Sequence, residues 1–225
     1  MLTSKAKGAV RALYGRLVAP QQISAFLAQP GPRRLNLGCG HNVLAGWLNV
    51  DLEGGRHGKT FMNALRPFPI PDASLDAILC EHLIEHVPAE GGRFLLGEAF
   101  RVLKPGGVIR VITPDLVGLA RMCVDGPNDA EKGYLDFVAG LHNRPSIAPS
   151  DALNYIFYEY GHRHIYTTAS LQSAMSAAGF KEITESRAGH PQNPIFNGAE
   201  GHPNFMGAEN DAIEAFALEA TKPAQ

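Results

Sequence analysis

Arg34-Leu35-Asn36-Leu37-Gly38-Cys39-Gly40 is a largely apolar run that ends in two glycines one residue apart, the pattern of a strand entering a turn. Glycines so placed let a ligand approach the backbone closely. A dinucleotide site needs a third glycine three positions on, but that position is Val43, so no pyrophosphate cradle is expected. Asp51 ends the next predicted strand, Trp47–Leu52, thirteen residues after Gly38. A carboxylate there can accept both hydroxyls of a ribose. The combination fits a nucleoside that carries no pyrophosphate.

Outward from this turn, strand and helix signals alternate over residues 33–113. Thr60–Asn63 is a weaker third strand, and Leu75–Cys80 a buried one. Glu90–Leu103 has helical periodicity and is stopped by Lys104-Pro105-Gly106-Gly107, where proline cannot continue the helix. Val108–Thr113 is the next buried strand. Such alternation implies an α/β fold of parallel strands with helices on both faces, and ligands at the carboxyl ends of the strands. Residues 115–160 read as a helical insertion over that edge. Thr168 is expected to cap a helix to Ala178, with Gly179 as its terminator, followed by strand Phe180–Arg187. Residues 188–210 have the composition of a long covering loop, and Ala212–Thr221 closes the pattern as a strand. Before the glycine motif, Val10, Leu13, Tyr14, Leu17 and Val18 fall at helical spacing, predicting an amphipathic helix to Pro20 and a short second helix over Ile23–Ala28.

Composition bounds the function. The chain has 225 residues, 45% hydrophobic, enough for a core without disulfides or metal. Its net charge is −2, which speaks against a nucleic-acid partner. That total hides a split: residues 1–50 carry Lys5, Lys7, Arg11, Arg16, Arg33 and Arg34 with no acid, and the remainder carries −8. Three cysteines without a close pair fit a reduced cytoplasmic chain. No run approaches the length of a membrane span. The basic start overlaps in composition with a transit peptide, but equally with an ordinary leading helix. Its four cations in Lys5–Arg16 allow peripheral contact with an anionic membrane at ~1 kcal/mol each, too little for anchoring.

Leu35–Gly40, Gly46-Trp47-Leu48-Asn49-Val50-Asp51, Pro69–Asp76, Glu81–His86, Arg101–Gly107 and Thr113-Pro114-Asp115 together resemble the class I S-adenosylmethionine-dependent methyltransferases. The likeness is to the methyltransferase type 11 group and its relatives associated with polysaccharide or natural-product biosynthesis. It covers residues 33–115, and more loosely Gly161–Tyr166 and Ala178–Phe180. The resemblance implies a Rossmann-like, mostly parallel sheet of seven strands with the last antiparallel, and S-adenosyl-L-methionine as methyl donor. Gly38, Cys39 and Gly40 would pass beneath the amino-acid part of the cofactor, with Asp51 on the ribose and Leu52 beside the adenine. Asn63, followed by Ala64, stands where an acidic residue usually receives the adenine amino group. Glu81 and His82 would border the methionine end. A single domain over 1–225 follows, with 1–32 as a leading helical segment, 33–115 as the cofactor half and 116–225 as the acceptor half. The implied reaction moves a methyl group to an oxygen or nitrogen of a small molecule or glycan, leaving S-adenosyl-L-homocysteine.

His82 and His162 are the candidate general bases, since a neutral imidazole can take a proton from an attacking hydroxyl. His162 and His164 would share a face if that segment is extended. No metal ligands are expected on the main reading. His82-Leu83-Ile84-Glu85-His86 does match the inverted zinc-protease pattern, which makes a zinc hydrolase a rival. A non-catalytic cofactor-binding partner of a biosynthetic enzyme is the other alternative. The leading helix would lie across the cofactor cleft, with Tyr14 or Arg16 near the cofactor carboxylate.

Overall fold

The computed structural model describes residues 4–54 and 57–224, and the side chains of residues 4–12, Tyr14 and Arg16 lie outside that description. Five parallel strands follow from the apolar runs: β1 (Arg34–Leu37), β2 (Leu48–Asp51), β3 (Lys59–Phe61), β4 (Leu75–Glu81) and β5 (Leu103–Pro114). With β6 (Lys181–Arg187) and β7 (Ala215–Thr221) they form one sheet in the order β3-β2-β1-β4-β5-β7-β6. The final strand, β7, runs antiparallel to both of its neighbours. Strand order reverses between β1 and β4, the point where such sheets open a ligand crevice.

Alternation along β4 sorts the core. Ile78 and Cys80 face a layer built from α1 (Ser4–Leu27), α2 (Ala89–Val102) and α6 (Thr168–Ala177), where Ile23, Leu95, Leu96, Ala99, Leu171 and Met175 are buried. Ala77 and Leu79 face the opposite way, onto Trp47, Ala188, Phe196 and Ala199. A third cluster joins α3 (Leu116–Asp125), α4 (Asp129–Leu141), α5 (Pro149–Tyr158) and α7 (His202–Met206), with α8 (Ala208–Glu214) alongside. Its start is fixed where the chain leaves β5: the Asp115 carboxylate accepts from the Val117 amide at 3.0 Å. Asn128 and Glu131 then form a reciprocal capping box on α4. Among the described residues no helix is long and apolar enough to cross a membrane.

Several sequence expectations change. The leading segment is one helix that runs through Pro20 instead of two. Burial of Ala19 and Ile23 on either side of the proline, with α1 packed on β3, holds the two halves in line despite the hydrogen bond that proline cannot make. Leu13 and Leu17, expected on its buried face, are 60% and 72% exposed, and Val10 and Tyr14 lie outside the described side chains. Lys104–Gly107 is carried within β5 as a bulge, because β4 pairing jumps from Leu75–Leu103 to Ala77–Val108. The cap of α6 is Thr167, whose Oγ1 accepts from the Ser170 amide at 3.1 Å, so Thr168 is the first helical residue. The expected loop over 188–210 contains α7 and the start of α8.

One buried cation ties the cover to the sheet. Arg110 of β5 is fully buried, and its guanidinium donates to Glu200 at 2.9 Å, Ser186 Oγ at 2.6 Å, Glu219 at 2.8 Å and the Arg187 carbonyl at 3.0 Å. Glu219 also accepts from the Gln192 and Asn193 amides, and Glu200 from the Gly189 amide. Residues 186–200 are thereby folded around a single charge. Removing it leaves two buried carboxylates uncompensated, so Arg110→Met is expected to cost about 3–5 kcal/mol in urea unfolding. A loss below about 1 kcal/mol would show that the cover is held by other contacts.

Candidate functional site

The glycine turn takes its shape from two buried asparagines. Asn36 of β1 donates to Asn49 Oδ1 at 3.0 Å and to the Asn42 carbonyl at 2.7 Å. Asn49 of β2 donates to the Leu44 and Trp47 carbonyls and accepts from the Leu44 amide at 2.8 Å. Together they pair backbone groups of a largely exposed segment that forms no helix between β1 and β2. The chain then turns tightly, with the Gly38 and Cys39 amides both donating to the Val50 carbonyl at 2.9 and 3.0 Å.

Gly38 and Gly40 have φ of +72° and +49°, a region that favours glycine. A Cβ on Gly38 would lie 2.8 Å from Leu83, whereas one on Gly40 would meet nothing within 4 Å, so the backbone at Gly40 is open to a ligand. The Gly40 amide donates to Asp51 Oδ2 at 3.0 Å and the Glu53 amide to Oδ1 at 2.9 Å. Each oxygen keeps a lone pair for a further donor, which suits paired hydroxyls. Lys59 Nζ donates to the Gly40 carbonyl at 3.0 Å and fastens the turn from β3. Leu52, next to Asp51, is an apolar side chain 61% exposed, a surface that a flat aromatic ring can cover. Cys39 is buried, and burial, followed by the nearby Asp51 charge, pushes its thiol up to about 11. Only its backbone can meet a ligand.

Asn63 and Ala64 follow β3 at the same edge of the sheet, and Asn63 Oδ1 already accepts from the Leu65 amide at 2.9 Å. One lone pair of that oxygen remains. Glu81, the last residue of β4, accepts from the Gly201 and His202 amides at 2.9 Å and from Asn42 Nδ2 at 3.4 Å. Asn42 in turn donates to the Ala199 carbonyl at 2.8 Å. Thus the strand end predicted to border the cofactor also latches the cover. The residues gathered here fit a nucleoside with an amino-acid tail: paired acceptor oxygens, an open glycine backbone and an exposed apolar flank.

Beyond Glu81 lies a cavity of about 260 Å³, lined by His82, Glu85, His86, Tyr160, His162 and His202 among others. His82 has φ +45° and its ring lies against that of His202, tilted by 37° with centroids 3.9 Å apart. Its Nδ1 lies 3.1 Å from Glu85 Oε1, and its Nε2 faces Asp211 Oδ1 at 3.9 Å, too far for a hydrogen bond. Burial alone would depress this imidazole, but the Asp211 and Glu85 carboxylates outweigh that and lift it to about 10. With Nδ1 turned to Glu85, Nε2 is the ring atom left facing Asp211. Glu85 is fixed from behind by the Thr113 hydroxyl at 3.0 Å, and its carbonyl accepts from the Arg163 and His164 amides. That pairing swings His162 to the cavity wall. His162 Nδ1 lies 2.5 Å from the Ile156 carbonyl, so Nδ1 carries the hydrogen and Nε2 is left as an acceptor. Burial holds this imidazole below its ordinary value. His164 instead sits edge-on to Tyr166 at 4.5 Å and does not line the cavity.

The zinc-protease pattern does not form its helix, because Ile84–His86 is a three-residue 3-10 turn. Its two histidines fall in different groups, His82 with His202 and Asp211, and His86 with Glu85 and His162. Sequence reading missed His202 and Asp211, which reach the site from α7 and α8, and it missed Asn36, Asn42 and Lys59. A buried asparagine within an apolar strand was the available signal for Asn36. Because charge-assisted hydrogen bonds contribute about 1.5–3 kcal/mol, Glu81→Gln is expected to speed amide exchange at Gly201 and His202 by about tenfold or more. Unchanged exchange in hydrogen–deuterium measurements would mean that Glu81 does not hold the cover.

Residues 35–111 match the family model described as a methyltransferase domain. A protein of Mycolicibacterium smegmatis described as a probable S-adenosylmethionine-dependent methyltransferase is 38% identical over 76 residues, 34% of this chain and 26% of that one. The match thus spans about a quarter of that relative's length. The fold superposes on a SAM-dependent methyltransferase from Archaeoglobus fulgidus with a TM-score of 0.51 at 15% identity, covering 94% of each chain. It also superposes on a possible exported protein from Bordetella parapertussis, with a TM-score of 0.50 at 15% identity over 95% of this chain and 67% of that one. At such identities the structural likeness speaks to the fold alone. With the glycine turn and Asp51 inside the matched segment, residues 35–111 are similar to a methyltransferase domain, and the chain has the fold seen in the Archaeoglobus fulgidus SAM-dependent methyltransferase.

Proposed function

We propose that this protein binds S-adenosyl-L-methionine at the Gly38–Gly40 turn and transfers its methyl group to an oxygen or nitrogen of a small molecule or glycan. The observation that carries the reading is the direct tie between the turn and Asp51, Gly40 amide to carboxylate at 3.0 Å, inside the segment that matches the methyltransferase domain. Asp51 receives the ribose hydroxyls, Leu52 flanks the adenine, and Asn63 Oδ1 with its free lone pair receives the adenine amino group beside Ala64. The backbone of Gly38, Cys39 and Gly40 underlies the amino-acid portion, with Glu81 at its far end. Bound there, the cofactor supplies an activated methyl on a sulfonium. Residues 33–115 then serve as the cofactor half and 116–225 as the acceptor half of one unit.

The acceptor occupies the 260 Å³ cavity beside Glu81. Its walls combine imidazoles, aromatic and aliphatic side chains with the carboxylates of Glu85 and Glu214, which suits a compact acceptor with a polar head. His162 takes the acceptor proton on Nε2, because the Ile156 carbonyl holds the hydrogen on Nδ1. Glu85, His86, His82 and Tyr160 are the titratable groups around it. The remaining demand is alignment and exclusion of water, which can lower a barrier by ~7–11 kcal/mol.

An acceptor screen that reads S-adenosylhomocysteine release tests this. Turnover with a hydroxyl acceptor is expected, and His162→Ala should lower kcat by about 10²–10⁴ while leaving cofactor affinity in place. Since His162 is held below its ordinary value, the rate should be flat above about pH 6.5 and fall only in more acid solution as Nε2 gains a proton. Full turnover by His162→Ala removes it as the base. Cofactor binding with no turnover of any acceptor supports the non-catalytic partner instead.

A further inference from the structure

We infer that His82, His202 and Asp211 form a binding site for one divalent transition-metal ion, with zinc or ferrous iron the best match to two imidazoles and a carboxylate. One donor atom from each residue lies within 4.8 Å of the others. Two of those side chains carry buried polar atoms without a hydrogen-bond partner, His82 Nε2 and Asp211 Oδ2. Asp211 is 1% exposed, so an unpaired carboxylate oxygen there needs a partner. Donors around one zinc at ~2.0–2.1 Å sit roughly 3.3 Å apart. The present separations, 2.6 Å from His202 Nδ1 to Asp211 Oδ1 and 3.9 Å from His82 Nε2 to the same oxygen, bracket that value, so small ring rotations suffice.

The surroundings are those of a built ligand set. Glu85 holds His82 through Nδ1 at 3.1 Å and is itself held by Thr113 at 3.0 Å, which leaves Nε2 pointing at the other two donors. A carboxylate behind the histidine orients a metal-binding ring in this way. His202 begins α7 and Asp211 lies in α8, so an ion joins both cover helices to the end of β4. His82 and His202 also line the 260 Å³ cavity, giving a ligand in that cavity access to the ion. The inference does not rest on methyl transfer.

The test uses the full chain, stripped of metal by a chelator and titrated with Co²⁺ in the visible spectrum and with Zn²⁺ by calorimetry. One ion per chain is expected, with cobalt d–d bands of low coordination number and a rise in Tm on zinc binding. His202→Ala and Asp211→Asn should each weaken binding by about tenfold or more, and His86→Ala should leave it unchanged. Circular dichroism checks that each variant is folded. Absence of saturable binding by the wild-type chain at about 100 μM metal overturns the proposal. So does loss of binding in His86→Ala with retention in His202→Ala, which would place the ion on the neighbouring Glu85, His86 and His162 group.

Discussion

The hydrogen bond between Asn36 and Asn49, 3.0 Å long and buried between β1 and β2, is the constraint on which the site depends. Parallel neighbours are ordinarily joined by a helix that satisfies its own backbone. Here the connection from Gly38 to Trp47 forms no helix, and the two carboxamides supply the partners that a helix would have supplied. The consequence reaches beyond local stability. With the connection drawn in against the sheet, Gly40 stands open above the strand ends, and its amide can reach the carboxylate of Asp51.

A second layer of control comes from how charge is placed in the cover. Segment 186–200 wraps the fully buried Arg110, and the following turn is latched by Glu81 through the amides of Gly201 and His202. Both anchors are single side chains on adjacent strands, so the position of the cover is set from the sheet outward. The −8 carried by residues 51–225 therefore has local roles at Asp51, Glu81, Glu200, Glu219 and Asp211, whereas the cations of residues 4–12 and Arg16 lie outside the described side chains.

Legibility in the sequence followed locality. β1, β2, β4 and the stop at Lys104–Gly107 are signalled by contiguous apolar runs and by glycine and proline, and the cofactor-side residues Gly38, Gly40, Asp51 and Glu81 sit at strand ends that such runs define. Asn63 was reached through the family resemblance, and it stands two residues beyond the end of β3. The acceptor side was not. His202 and Asp211 come from a glycine- and proline-rich stretch and the helix that follows it, held by Glu81 and Arg110 over sequence separations of 120 and 90 residues. Pro20 misled for a related reason: its local preference to end a helix is overridden by packing of Ala19 and Ile23, which no window around the proline displays. His82 is legible as a polar residue at a strand end, but not in its carboxylate neighbours, which lie three and 129 positions away.

The central claim is that the turn and Asp51 form a nucleoside site, and calorimetric titration with S-adenosylhomocysteine tests it most directly. The wild-type chain should bind one equivalent, and Asp51→Ala, by losing two hydrogen bonds to a charged acceptor, should bind about 100-fold more weakly. Absence of binding at millimolar ligand, or equal affinity in Asp51→Ala, would contradict it.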